Sequence, residues 1–206
     1  MRRKIVVICV IVFVAISGIL AWRTHSFNQR SAEFRALAHA STPIEGHFSL
    51  TDDNGDAVTQ QSYTGRYTLI FFGYTYCPDV CPTTLQTVAG VMDRLADQAD
   101  RVVPLFITID PQRDTAAVLK DYVSNFHPAL IGLTGSISDT TAAARSFRAY
   151  FAKVTPDPDA PESYLMSHSA RLYLMGPDSR PVTAFLPTDT ADTIAGKIKK
   201  ILSGTL

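Results

Sequence analysis

Cysteine is scarce in this chain: there are three, at Cys9, Cys77 and Cys81, among 206 residues. That is too few for a disulfide scaffold, so burial must hold the fold together. Net charge is lacking as well, with Lys+Arg 19 against Asp+Glu 19, and no basic run occurs beyond the first four residues. A nucleic-acid binder, whose footprint is a clustered basic face, is not expected. No internal repeat or low-complexity tract interrupts the chain. What remains is an apolar content of 46%, enough for a sizeable core in one domain with appendages.

The N-terminus reads as a membrane anchor. Arg2, Arg3 and Lys4 precede an uncharged stretch from Ile5 to Trp22, rich in Ile and Val and long enough to span a hydrocarbon core as a helix. Trp22 ends it, where an interfacial aromatic belongs. No polar stripe runs along it, which argues against a core helix. A cleavable leader is the rival, with small residues at Ala15-Ile16-Ser17, but the apolar run continues to Ala21 and favours a retained anchor. The basic cluster before the span places the N-terminus in the cytoplasm, although Arg23, Arg30 and Arg35 follow the span. The rest of the chain would then occupy a periplasm-like compartment. Cys9 is a small apolar filler within the span. The expected organisation is an anchor at 1–22, a polar tether at 23–42 and a globular domain at 43–206.

The domain's pattern is α/β. His47–Leu50 and Val58-Thr59 flank Asp53-Asn54-Gly55-Asp56, a hairpin in which the Asn-Gly pair would supply positive φ angles. Tyr67–Gly73 is a nearly continuous apolar run, as in a strand buried on both faces. Residues 83–98 carry Leu85, Val88, Val91, Met92 and Leu95 on one helical face. A second buried strand is expected at 102–109, a helix at 115–126 capped by Asp114 or Thr115, a short strand at 130–133 and a helix at 139–150. A hairpin of 170–175 with 181–186 and an amphipathic helix at 189–202 close the chain. Strands separated by helices imply a central parallel or mixed sheet flanked by helices.

The chemistry concentrates in Gly73-Tyr74-Thr75-Tyr76-Cys77-Pro78-Asp79-Val80-Cys81-Pro82, between the first buried strand and the first long helix. Open α/β sheets place their sites at such carboxyl ends. Pro82 suits a first helical turn, and Cys81 would lie where a helix N-terminus stabilises a thiolate. Asp79 could shape the loop or cap a turn. Two thiolates this close can hold one soft cation or close a small disulfide, so the pair alone does not separate metal binding from redox work.

Five histidines were candidates for a third ligand. His25 and His39 fall in the tether, His47 at the first strand, and His127 precedes a proline in a loop; each reads as solvated or structural. His168 differs, because it stands just before a strand expected to neighbour the one preceding the cysteines. An imidazole with two thiolates makes a three-coordinate site suited to copper, whereas zinc ordinarily wants a fourth ligand.

At these residues the chain resembles the Sco/SenC family of copper proteins. The resemblance is carried by Tyr74–Pro82, by Thr108-Ile109-Asp110-Pro111-Gln112-Arg113-Asp114-Thr115, by His168-Ser169, and by Tyr173-Leu174-Met175-Gly176-Pro177-Asp178. It runs in order from about residue 43 to the C-terminus. It implies a thioredoxin-like fold that binds Cu(I) or Cu(II) through Cys77, Cys81 and His168. It also implies a role in assembling the copper centre of cytochrome c oxidase, with the copper-receiving subunit and a copper donor protein as partners. Many relatives carry Asp immediately before the histidine, where this chain has Ser167; a carboxylate there could orient the imidazole. Met166 is a conceivable soft ligand but reads as packing. The Asp110–Asp114 stretch reads as mainly structural, with Arg113 pairing a nearby carboxylate.

The main alternative is a thiol–disulfide oxidoreductase on the same fold. Such enzymes ordinarily have Cys-x-x-Cys and a proline facing the thiols, whereas here three residues separate the cysteines and His168 stands near that point. A Cys–His hydrolase would need an orienting group and an oxyanion hole, which the sequence does not offer.

Overall fold

The computed structural model describes residues 44–154 and 163–205. The expected anchor and tether, with Cys9, His25 and His39, lie outside them. Among the described residues no helix is long and apolar enough to cross a membrane.

The first hairpin pairs Ser49–Asp52 (β1) with Ala57–Thr59 (β2). Its turn needs one positive φ rather than the two expected, at Gly55 (+92°). The Gly55 N–H donates to the Asp52 carbonyl at 3.0 Å, and the Asp52 carboxylate accepts from the Asn54 and Asp56 amides at 2.9 Å each. The aspartate thus organises the turn.

A short 3-10 turn leads into Tyr67–Gly73 (β3), which is buried from Thr68 onward. Val80–Leu95 (α1) follows, then a second 3-10 turn and Val102–Thr108 (β4), buried at every residue. Both strands are covered on both faces, which is why their sequences read as unbroken apolar runs. Ala116–Ser124 (α2) is capped by Thr115, whose side chain accepts from the Val118 amide at 3.3 Å. After Ile131–Thr134 (β5), the helix Ile137–Ser146 (α3) starts and ends earlier than expected. Ser136 and Asp139 form a capping box that fixes its start. Two short strands follow, Phe151–Val154 (β6) and Leu165–His168 (β7), then Leu172–Met175 (β8), Pro181–Phe185 (β9) and Ala191–Leu202 (α4).

Seven strands form one mixed sheet in the order β2-β1-β5-β4-β3-β8-β9. β3, β4 and β5 run parallel, and β8 runs antiparallel to β3. With α1 and α4 packed together, α2 against β5 and α3 against β1, this is the expected central mixed sheet flanked by helices. Phe71, Phe72, Phe106, Phe147 and Tyr173 fill its centre, the Phe72 ring lying 5.3 Å from Phe147 and 6.1 Å from Tyr173. Each such buried ring contributes roughly 1.5–3 kcal/mol by leaving water.

Two registers position the site. Gly73 on β3 pairs with Thr108 on β4, so the segments leaving these strands start side by side. Phe71 pairs with Leu172, so β8 begins level with the carboxyl end of β3 and the chain entering it arrives at the cysteine loop. The β6–β7 ribbon was not expected. It forms a separate two-stranded sheet in which Phe151 pairs with His168 and Val154 with Leu165.

Candidate metal centre

Beyond Gly73 the chain turns sharply, with the Cys77 amide donating to the Tyr74 carbonyl at 3.3 Å. The helix α1 starts at Val80, so Cys81 lies inside its first turn rather than before it. Its N-cap residue is Asp79, yet that side chain makes no capping bond. The capping role expected of Asp79 falls instead to sulfur: the Cys81 amide donates to Cys77 Sγ at 3.3 Å. A helix start that would otherwise leave N–H groups without acceptors thereby points one at the first thiol.

His168, at the end of β7, brings its Nε2 to 3.4 Å from Cys81 Sγ. The ligand atoms of Cys77, Cys81 and His168 all lie within 4.8 Å of one another, close enough for one metal ion. Both cysteines are free thiols. The imidazole stands edge-on to two rings, Phe71 at 6.0 Å and Tyr74 at 6.1 Å, which restrict its rotation. Its Nδ1 lies 3.1 Å from the Ser169 carbonyl oxygen. A carbonyl only accepts, so Nδ1 carries the hydrogen and Nε2 presents a lone pair toward the thiols. The imidazole's orienting partner is thus a backbone carbonyl, while Ser167 faces solvent. Met166 packs against the core.

Burial sets the protonation states. Cys81 is fully buried, and desolvation, followed by its contact with Cys77, pushes its thiol well above the ordinary range. This runs against the expectation of a low-pKa thiol at the helix terminus, because loss of water around the sulfur outweighs the Tyr74 backbone hydrogen bond that favours the thiolate. Burial lowers the pKa of His168, against the opposing pull of the Ser169 carbonyl, and so favours the neutral ring that can ligate.

Cys81 Sγ also rests on a bare backbone. A Cβ at Gly73 would stand 2.8 Å from that sulfur and 2.7 Å from the Phe106 ring, both too close for real atoms. Gly73→Ala is therefore expected to displace the sulfur and weaken metal binding at the three-residue site by roughly tenfold or more while the chain still folds. Competition against a chelator of known affinity, beside circular dichroism, would check this; unchanged affinity in a folded variant would contradict it.

Residues of the Thr108–Asp114 stretch turn out to hold the cysteine loop. The Asp114 carboxylate accepts from the Thr75 amide at 3.1 Å, the Thr75 hydroxyl at 2.6 Å and the Thr108 hydroxyl at 2.6 Å. Asp110 pairs with Arg113 Nε at 2.5 Å and accepts from the Tyr164 hydroxyl at 2.7 Å. A run of polar residues directly after a fully apolar strand was the available sign, since such groups are buried only when something needs them there. The other described histidines stay apart from the site: His47 contacts Gln60 at 3.0 Å, and His127 accepts from the Ala129 amide at 3.1 Å.

Comparison with known proteins places the chain in a family. A family model described as SCO1/SenC matches residues 37–203. Protein SCO1 homolog 1, mitochondrial, of Arabidopsis thaliana is 41% identical over 160 residues, 77% of this chain and 47% of that protein. The chain thus spans about half the length of that relative. The crystal structure of Arabidopsis thaliana ScoI with copper bound superposes with a TM-score of 0.71 at 40% identity, covering 78% of this chain and 99% of that one. Bradyrhizobium japonicum ScoI with copper bound gives a TM-score of 0.69 at 45% identity, covering 76% and 98%.

Proposed function

Because this chain belongs to the SCO1/SenC family, we propose that it is a copper chaperone that holds Cu(I) or Cu(II) on Cys77 Sγ, Cys81 Sγ and His168 Nε2. In this reading it is anchored by residues 1–22, tethered by 23–42, and presents its 43–206 domain outside the inner membrane, in the periplasm or an equivalent compartment. It receives copper from a donor protein and passes it to the copper-receiving subunit of cytochrome c oxidase.

The observation that carries the reading is the convergence of two sulfurs and one imidazole nitrogen within 4.8 Å. Soft thiolates favour copper in its lower oxidation state, imidazole suits the higher one, and a site offering both can hold either. With both thiols ionised, the site carries one net negative charge with Cu(I) and none with Cu(II). Three ligands leave room for an incoming ligand from an acceptor.

The test is copper stoichiometry of the reduced full-length chain by elemental analysis, with X-ray absorption to identify the ligands. One copper per chain, with two sulfur neighbours and one nitrogen, is the expected result. No retained copper, or a coordination shell of oxygen alone, would overturn it. Affinity should rise with pH, by up to about tenfold per unit for each thiol proton displaced. The raised Cys81 thiol places that rise through and above the neutral range. An affinity flat between mildly acidic and mildly alkaline pH would mean that the thiols are not the ligands.

A further inference from the structure

Its ligands come from two separately built pieces. Cys77 and Cys81 belong to the loop and helix that follow the central strand β3, whereas His168 ends a two-stranded ribbon that shares no ladder with the main sheet. An isolated two-stranded ribbon is marginal in water, so something must fix it to the domain if His168 is to stay beside the thiols. At one end the strand pairing continues, the Ser169 amide donating to the Tyr150 carbonyl at 2.9 Å and the Tyr150 amide to the Ser169 hydroxyl at 3.1 Å, and Phe151 and Met166 pack against the core. The other end begins at Tyr164, the residue before β7.

Arg113 joins that end to the cysteine loop. Its guanidinium carbon lies 3.7 Å from the centre of the Tyr164 ring and 4.5 Å from the centre of the Tyr76 ring. Tyr76 immediately precedes Cys77, and Tyr164 immediately precedes the strand carrying His168. The guanidinium also donates from Nη1 to the Tyr164 carbonyl at 3.2 Å and pairs through Nε with Asp110, which takes the Tyr164 hydroxyl in turn. Asp110 is fixed to β4 by its amide, which donates to the Thr108 hydroxyl at 2.9 Å. One planar cation therefore contacts both ligand-bearing segments and is bonded to the rigid sheet between them.

We infer that Arg113 is a positioning residue that clamps the histidine ribbon to the cysteine loop and sets the distance between His168 and the two thiols. Its copper consequence rests on the function proposed above. Losing the clamp loosens the Tyr164 end of the ribbon and leaves the imidazole held by Phe71, Tyr74 and the Ser169 carbonyl alone, while both sulfurs stay on their own scaffold. Cu(I) can remain on two thiolates, but Cu(II), which draws on the imidazole nitrogen, loses its third ligand. Lysine cannot replace arginine here, because an ammonium has neither the planar face for two rings nor the forked donors.

The test uses the full-length chain as wild type, Arg113→Ala, Arg113→Lys, Tyr164→Phe and His168→Ala. Hydrogen exchange is read first and needs no metal: Arg113→Ala should speed exchange at 151–154 and 165–168 and leave β3 and β4 protected. With copper, Arg113→Ala should lower Cu(II) affinity by about tenfold or more and erase the imidazole-nitrogen coupling from the Cu(II) spectrum, with Cu(I) affinity kept within about threefold. Adding Arg113→Ala to His168→Ala should cause no further loss, because both act through one nitrogen. Tyr164→Phe, which keeps the ring and loses one hydrogen bond, should fall between wild type and Arg113→Ala, and Arg113→Lys should resemble Arg113→Ala. If Arg113→Ala does not fold, the last two variants carry the comparison. Unchanged ribbon exchange, or equal losses of Cu(I) and Cu(II) that add to those of His168→Ala, would overturn the clamp. Wild-type protein without copper would sink the chaperone reading, while the exchange measurement would still judge the clamp.

Discussion

Cys81→Ala is expected to lower copper affinity by more than about 100-fold, since losing groups that merely support a ligand already costs 10–100-fold. This sulfur is the centre of the site: Nε2 of His168 lies 3.4 Å away, and its own amide points at Cys77 Sγ. The replacement removes one buried atom that rests over the Gly73 backbone, so the stability change should stay near 1 kcal/mol. Affinity and stability are thus separable, which makes the variant informative. Cys77→Ala and His168→Ala should weaken binding as well, His168→Ala chiefly for Cu(II). Cys9→Ala, far from the ligands in sequence and read as a filler of the anchor, should bind like wild type. Chelator competition with each full-length variant measures this, and a Cys81→Ala protein that kept affinity within about threefold would end the three-ligand account.

The largest loss of stability is expected at Asp114, not at a ligand. Its carboxylate is fully buried and accepts from Thr75 twice and from Thr108 once. Asp114→Ala strands three donors; the hydroxyls can rotate toward other acceptors, but the Thr75 amide cannot. A loss of roughly 3–5 kcal/mol follows, together with weaker copper binding, because Thr75 lies two residues from Cys77. Asp114→Asn keeps the shape and one acceptor oxygen and should lose less than half as much. Burial pushes the Asp114 carboxyl up, the threonine hydrogen bonds opposing it. A carboxyl raised in the fold contributes stability that is complete below its unfolded pKa and is lost as pH rises through the folded one. The deficit of Asp114→Asn should accordingly shrink as pH climbs above the ordinary carboxylate range. Denaturant midpoints across pH would check both points, and an Asp114→Ala protein within about 1 kcal/mol of wild type would refute the first.

The elements legible in advance were those whose residues report their own surroundings. β3 and β4 announced double-sided burial by unbroken apolar runs, and α1 by Leu85, Val88, Val91, Met92 and Leu95, all of which are buried. The β6–β7 ribbon was not legible, because four-residue strands with two exposed positions each carry too little pattern, and only their pairing defines them. The protonation state of Cys81 was misread for a related reason. A helix terminus can be located from Pro82 and its neighbours, but the burial that strips water from the sulfur comes from packing under the sheet, which places Cys81 Sγ over the bare backbone of Gly73.

Sequence by itself determined the chemistry of this protein: two thiols in one loop, one distinctive histidine, an α/β order of elements and an apolar segment ahead of them. Those are local properties, written in residue type and spacing. Tertiary structure decided how close the ligands stand, which imidazole nitrogen faces the sulfurs, and that Asp114 and Arg113 hold the two halves of the site. Each of these depends on strand register and on contacts between residues as far apart as Arg113 and Tyr164, and such contacts exist only once the sheet has brought the segments together.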